Sequence, residues 1–399
     1  MKIPFSPPHI DEKIIDEVVA TLRSGWITTG PRTKLFEQKL AEYCSCRRVV
    51  CVNSATAGLE LALRWFGVGP GDEVIVPAYT YTATASSVIH CGAKPVMVDV
   101  KDDFLIDVQK IRSAITEKTK VVIPVDLAGM PCDYDEIMTL VKDPDVVKMF
   151  RPANDVQKAL GRIMVLSDAA HSLGAVYNGK KTGSLTDCTV FSFHAVKNLT
   201  TAEGGAVCLN LPSQFNCDDI YKTMCVSSLH GQTKDALAKT QAGSWRYDIL
   251  DIGYKCNMTD IAAAMGLIEL ERYDSLILPR RKAIFDRYNA AFSNDSRFIV
   301  PVYETDKKKS SYHVFTLRLK DASEEKRDEV IRKMAEMEIA TNVHFIPLPL
   351  LTAYKSLGYK IEDYPQAYAQ FANEISLPVY FTLTDEQVDE VIRQLLKIV

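Results

Sequence analysis

Lys197 lies in the stretch CTVFSFHAVKNLTTAEGGAV, Cys188 to Val207, between two runs rich in β-branched and aromatic residues. A lysine at the mouth of a buried strand can shed its proton near neutral pH, because desolvation disfavours the ammonium. That is the state a Schiff-base lysine requires, although most loop lysines are simply solvated. Three further constellations could serve the same site. Asn53-Ser54-Ala55-Thr56-Ala57-Gly58 joins a strand end to a helix start, where free N–H groups and the helix dipole suit a phosphate. It also reads as an ordinary Ser/Thr N-cap. Pro77-Ala78-Tyr79-Thr80-Tyr81-Thr82 carries two rings two residues apart, on one side of an extended chain. One of them could lie against a flat cofactor, or both could fill core. Ser167-Asp168-Ala169-Ala170-His171-Ser172 ends an apolar strand in a carboxylate, which either caps a turn or needs a donor or cationic partner. On the lysine's own strand end, Ser192 and His194 precede it.

These residues need a scaffold that gathers strand ends at one place. From residue 49 onward, short apolar runs alternate with helical patterns. Strands are expected at Val49–Val52, Glu73–Pro77, Pro95–Val100, Val121–Leu127, Met164–Asp168, Thr189–Phe193 and Ala206–Leu209. Helices are expected at Thr56–Trp65, Thr82–His90, Asp107–Ile115 and Tyr134–Val141. This is the pattern of an α/β fold, a mostly parallel central sheet with helices on both faces. Ligands of such sheets sit beyond the carboxyl ends of the strands, where each motif above falls.

Upstream, Ile14, Ile15, Val18, Val19 and Leu22 share one helical face. An irregular loop marked by Gly25, Gly30 and Pro31 follows, and Phe36, Leu40 and Tyr43 begin a second amphipathic helix. Lys142 to Arg162 breaks the rhythm: it is polar, carries Pro144 and Pro152, and reads as a surface excursion with a short helix. After Met258 the pattern is helical to about Phe292. A strand over 311–319 and helices over Glu324–Met337 and Asp385–Ile398 then predict a smaller α+β domain. The expected division is 1–270, a large domain with an N-terminal arm, and 271–399, a small C-terminal domain.

Composition narrows the partners. A chain of 399 residues predicts more than one core. Hydrophobic content of 47% and charged content of 25% are those of a globular protein. A formal charge of -4 gives no electrostatic case for nucleic acid or an anionic membrane. The N-terminus has no apolar leader core, and no run is long enough to span a bilayer, so a cytoplasmic protein is expected. The ten cysteines are expected to be reduced and mostly buried. Cys44, Cys46 and Cys51 cluster in sequence but lack a fourth ligand at a standard spacing, so no metal is expected.

A phosphate cradle, an aromatic plate, a carboxylate for a protonated ring nitrogen and a Schiff-base lysine are together the parts of a pyridoxal 5'-phosphate site. Here the chain resembles the DegT/DnrJ/EryC1/StrS family of sugar aminotransferases. The resemblance is carried by SGWITTGPRTKLFE, GDEVIVPAYTYTATASSVIHCGAKPVMVDV, SDAAHSLGA, FSFHAVKNLTTAEGGAV, GYKCNMTDIAAAMGLIEL and VHFIPLPL. It implies the type I aminotransferase fold. It matches Lys197 to the Schiff-base lysine, Asp168 to the carboxylate on the pyridine nitrogen and Tyr81 to the stacking aromatic. Ala55, Thr56 and Ser192 match phosphate-binding positions, and His171 a position near the cofactor oxygen. Asn257 matches a position that reaches the phosphate of a neighbouring subunit. Many family members have Asn and Arg where this chain has Lys255 and Asn257.

The resemblance implies a transaminase that moves an amino group from L-glutamate to a nucleotide-linked keto-deoxysugar, chiefly a 4-keto-6-deoxyhexose, in surface polysaccharide or amino-sugar biosynthesis. It implies a homodimer with shared active sites. Paired arginines, the mark of a dicarboxylate site, are missing from the motifs; only Arg32 lies near a glycine loop. The loops offer Trp26, Thr28, Thr29, His230, His313 and His344 instead, groups suited to a polyol and a diphosphate. Related sugar dehydratases carry histidine at the Schiff-base position, so Lys197 argues against that reading, and a complete set of site groups argues against a non-catalytic sensor.

Overall fold

Arg48–Val52, Gly205–Leu209, Cys188–Ser192, Met164–Asp168, Thr119–Val122, Glu73–Pro77 and Lys94–Val98 lie side by side, in that order, in a seven-stranded sheet. The computed structural model describes residues 2–233 and 245–399. Gly205–Leu209 runs antiparallel to both of its neighbours, and the remaining pairings are parallel. Val50, Ile75, Val122, Val165 and Val190 are buried along these strands, as β-branched residues on a sheet covered on both faces should be. Helix starts follow local chemistry. Ser54 caps Ala55–Trp65 by accepting from the Ala57 N–H at 3.1 Å, and Thr259 does the same for Asp260–Glu271 through Ala262 at 3.3 Å.

Several expected bounds shift for identifiable reasons. The strand expected over Val121–Leu127 stops at Val122. Pro124 has no N–H for a ladder, and the chain turns through Leu127–Gly129 with Ala128 at φ 56°. The strand expected over 311–319 is confined to Phe315–Leu319. Ser311 and His313 instead donate their N–H groups to the carbonyls of Gly129 and Ala128, at 3.0 and 3.2 Å. Two turns distant in sequence are thereby held against each other beside the sheet.

The segment 142–162 is no surface excursion. It forms two short helices, Pro144–Met149 and Asp155–Leu160, whose Val146 and Leu160 enter the main core with Phe150. Arg162 grips Asp187 through two hydrogen bonds of 2.7 Å, both groups buried. Its polar composition hid this anchoring, because the apolar contacts are few and the rest is hydrogen bonding.

A second cluster of buried side chains, including Phe285, Tyr288, Phe315, Leu317, Val388 and Val391, surrounds a three-stranded sheet of Phe298–Ile299, Phe315–Leu319 and Glu374–Leu377. The N-terminus belongs to it. Ile3 is fully buried there and exchanges backbone hydrogen bonds with Glu338 and Ala340, at 2.8 and 2.9 Å. The arm then crosses toward the main sheet, where Phe5 stacks on His344 with ring centres 5.5 Å apart. No helix among the described residues is long and apolar enough to cross a membrane.

Candidate active site

Beyond the carboxyl ends of the strands lies a cavity of about 410 Å³. Ala55, Thr56, Tyr81, Asp168, His171, Ser192 and Lys197 all line it, so residues spread over more than a hundred positions meet at one place.

Lys197 stands in the turn that follows Cys188–Ser192, its N–H donating to the His194 carbonyl at 2.9 Å. Burial lowers its ammonium pKa to about 8, and the Asp168 charge opposes the fall. Asp168 ends the adjacent strand Met164–Asp168 and is buried. It accepts from the Thr84 hydroxyl at 2.7 Å and from the Ala170 N–H at 3.3 Å. Burial nonetheless raises its pKa, with Thr84, Ala170 and the Lys197 charge pulling it back. A buried carboxyl with that little compensation is suited to a cationic N–H partner.

At the other end, Ser54 keeps the Ala57 N–H for itself, which leaves the first amides of the helix, Ala55 and Thr56, at the cavity wall. Gly205, opposite Val52 and Ser192 in the sheet, brings the strands against this helix start. A Cβ at Gly205 would come within 2.5 Å of the Ser54 carbonyl carbon, so only glycine permits that approach. Ser192 thus stands beside a helix N-terminus, an arrangement that fits a phosphate.

The two tyrosines part company. Tyr79 is fully buried against Phe104, whereas Tyr81 is 60% exposed at the N-cap of Thr82–His90, with Phe345 at 5.6 Å. The expectation of a shared side fails because the chain bends over 78–80, ahead of Tyr81 and the helix it precedes. Of the two, Tyr81 is the one that lines the cavity.

Asn257 lies outside this cavity. Its amide donates to Thr29 Oγ1 at 2.6 Å, and its Oδ1 accepts from Lys255 Nζ at 2.6 Å. The two irregular loops near Gly25–Pro31 and Gly253–Met258 therefore serve as each other's partners. Buried Asp260 reinforces the junction by accepting from the N–H groups of Gly30, Arg32 and Thr33 and from the Thr33 hydroxyl. Of the other loop groups, His313 and His344 reach the cavity wall. Arg32 is engaged with Glu17 at 2.7 Å.

Sequence reasoning missed Thr84, Phe5, Val196 and Phe345. Thr84 lies two residues into a helix, and nothing local marks it as the partner of a carboxylate 84 positions on. Phe5 and Phe345 come from the arm and from the segment before Leu348–Leu350, which approach the site only through tertiary packing. Among the described residues no cluster of histidine, cysteine, aspartate and glutamate could hold a metal.

Comparison with known proteins decides what this assembly belongs to. Residues 8–396 match the DegT/DnrJ/EryC1/StrS aminotransferase family. The chain belongs to that family. It is 37% identical to the spore coat polysaccharide biosynthesis protein SpsC of Bacillus subtilis, over 100% of this chain and 97% of the relative. It is 32% identical to the GDP-perosamine synthase of Caulobacter vibrioides, over 99% and 97% respectively. Among solved structures, the provisionally assigned sugar aminotransferase Spr1654 of Streptococcus pneumoniae in its PMP form superimposes with a TM-score of 0.96. That pair shares 53% identity over 99% of this chain and 98% of the other. Spr1654 has also been solved in its PLP form. The protein is thus a sugar aminotransferase of the DegT/DnrJ/EryC1/StrS family, dependent on pyridoxal phosphate, with the type I fold.

Proposed function

We propose that this aminotransferase moves an amino group from L-glutamate to the keto carbon of a nucleotide-linked deoxysugar, a 4-keto-6-deoxyhexose, in the making of a polysaccharide or amino sugar. The observation that carries this reading is the cavity wall. Among the described residues no arginine lines it, while His171, His313 and His344 do. Burial holds all three imidazoles neutral, His344 at about 3 and the other two well below their ordinary value. Neutral rings and hydroxyls suit a polyol. The names of SpsC and of GDP-perosamine synthase support the same class of substrate.

When bound, pyridoxal phosphate supplies an electron sink that acidifies the carbon bearing the amino group. Lys197 would hold its aldehyde carbon and, once released, would take the proton from the substrate carbon bearing the amino group and deliver it to that aldehyde carbon. Asp168 would keep the ring nitrogen protonated, and Thr84 holds Asp168 in place. The Ala55 and Thr56 amides and the Ser192 hydroxyl would take the phosphate, and the Tyr81 ring the face of the cofactor. His171 would meet the cofactor oxygen.

The working unit in this proposal is a homodimer, with Asn257 reaching toward the partner's phosphate. Support comes from an exposed apolar run in which Trp245, Leu250 and Ile252 are 73, 66 and 86% exposed, a surface that a second copy would cover.

A two-stage reaction tests the substrate. Glutamate should convert the aldehyde form to the amine form, seen as loss of the long-wavelength absorbance band. A UDP-, dTDP- or GDP-linked 4-keto-6-deoxyhexose should then restore that band and yield an amino sugar by mass spectrometry. Restoration by keto acids alone would replace this reading with an amino-acid transaminase.

A further inference from the structure

The Asn198 side chain decides where His313 carries its proton. Its Nδ2 donates to the Ser311 carbonyl at 2.7 Å, which turns Oδ1 toward His313 Nδ1, also at 2.7 Å. An amide oxygen only accepts, so Nδ1 must be the protonated nitrogen. His313 is buried beside His171, Lys197, Arg281 and His344, and desolvation with those neighbours keeps it neutral. A neutral ring protonated at Nδ1 has its lone pair at Nε2.

His171 is fixed the other way. The Ala128 N–H donates to its Nδ1 at 3.3 Å, so its proton sits on Nε2. The two rings lie 4.2 Å apart, tilted by 38°, and both line the cavity. Ala128 links them, because its carbonyl also accepts the His313 N–H at 3.2 Å. Neighbouring imidazoles thus hold opposite tautomers, one with a donor and the other with an acceptor left to use.

We infer that Asn198 is a positioning residue that makes His313 a hydrogen-bond acceptor for a substrate hydroxyl, while His171 keeps the donor suited to the cofactor oxygen. The inference rests on the keto-sugar reading and deepens it. A hydroxyl can donate to the His313 lone pair. A carboxylate cannot, and would set two acceptors against each other in a desolvated site. His313 is then a positioning group for the sugar, an acceptor that a substrate hydroxyl can use and a carboxylate cannot.

The test is nitrogen-15 NMR of the holoenzyme labelled at its seven histidines, with the His313 signals assigned by their loss in His313→Gln. The expected result is an Nδ1–H tautomer at His313 that is lost in Asn198→Ala. In steady state, Asn198→Ala should raise KM for the keto-sugar about tenfold, the loss of one hydrogen bond. KM for glutamate should stay within about twofold. An Nε2–H tautomer or an imidazolium at His313 in the wild type would overturn the inference, as would an equal rise in both KM values. If no keto-sugar reacts, the hydroxyl assignment falls with the substrate reading, and the tautomer is decided by NMR alone.

Discussion

Thr84 donates its hydroxyl to Asp168 at 2.7 Å, from the first turn of Thr82–His90 to the last residue of Met164–Asp168. This contact ties the helix that follows Tyr81 to the strand that carries the carboxylate, and so links the residues proposed for the ring face and the ring nitrogen. Replacing Asp168 by Asn should leave the fold intact and slow turnover by about 100-fold or more, because a neutral amide no longer favours a protonated ring nitrogen. Thr84→Val should have a smaller effect, about tenfold, from the loss of one hydrogen bond to a charged acceptor. Single-turnover rates with glutamate check both, and near-native turnover in Asp168→Asn would refute the role.

The depressed pKa of Lys197 has a direct consequence. Its ordinary value is 10.5 and its value in the site is about 8, so the amine is largely neutral only above that pH. Capture of an aldehyde by the apoenzyme should therefore accelerate as pH rises and level off above about 8, rather than climbing toward 10.5. Stopped-flow uptake of pyridoxal phosphate across pH would show it. Lys197→Ala should lose this phase entirely.

Glu374 gives stability its own pH dependence. It is fully buried, accepting from the Ser376 hydroxyl at 2.6 Å and the His344 N–H at 3.1 Å, with Arg327 and Tyr79 also nearby. Burial raises it from 4.5 to about 8. Between those values the folded protein holds a proton that the unfolded chain has lost, so stability falls as pH rises through this window and levels off above it. Glu374→Gln removes that slope. In denaturant titrations from about pH 5 to about pH 9, the variant should gain on the wild type as pH rises. A pH-independent difference between the two would contradict the assignment.

The proposed dimer predicts complementation. Lys197→Ala and an inactive Asn257 variant, mixed under conditions of proven subunit exchange, should recover part of the activity, because hybrid dimers hold one intact site. No recovery would count against a shared site.

The alternation of apolar strands with amphipathic helices made the sheet legible, and the strand-end motifs brought Ala55, Thr56, Asp168, Ser192 and Lys197 to one cavity as expected. Local periodicity carries that information because each element's buried face is written in its own residues. What the sequence hid depends on partners far along the chain. Pro124 gave the reason for the early end of its strand, yet the tie between Ala128 and His313 joins turns that share no local pattern. Thr84, Phe5 and Phe345 reach the site by packing alone. The separation of Tyr79 from Tyr81 turned on a bend over 78–80 that no local pattern marks, although the helix after it starts at Thr82 as expected.

The central claim is that one desolvated lysine, Lys197, is the catalytic amine. Borohydride reduction of the holoenzyme, followed by proteolysis and mass spectrometry, tests it most directly. The account predicts a pyridoxyl group on the peptide containing Lys197 and none after the same treatment of Lys197→Ala. A label on any other lysine of the wild-type enzyme would contradict it.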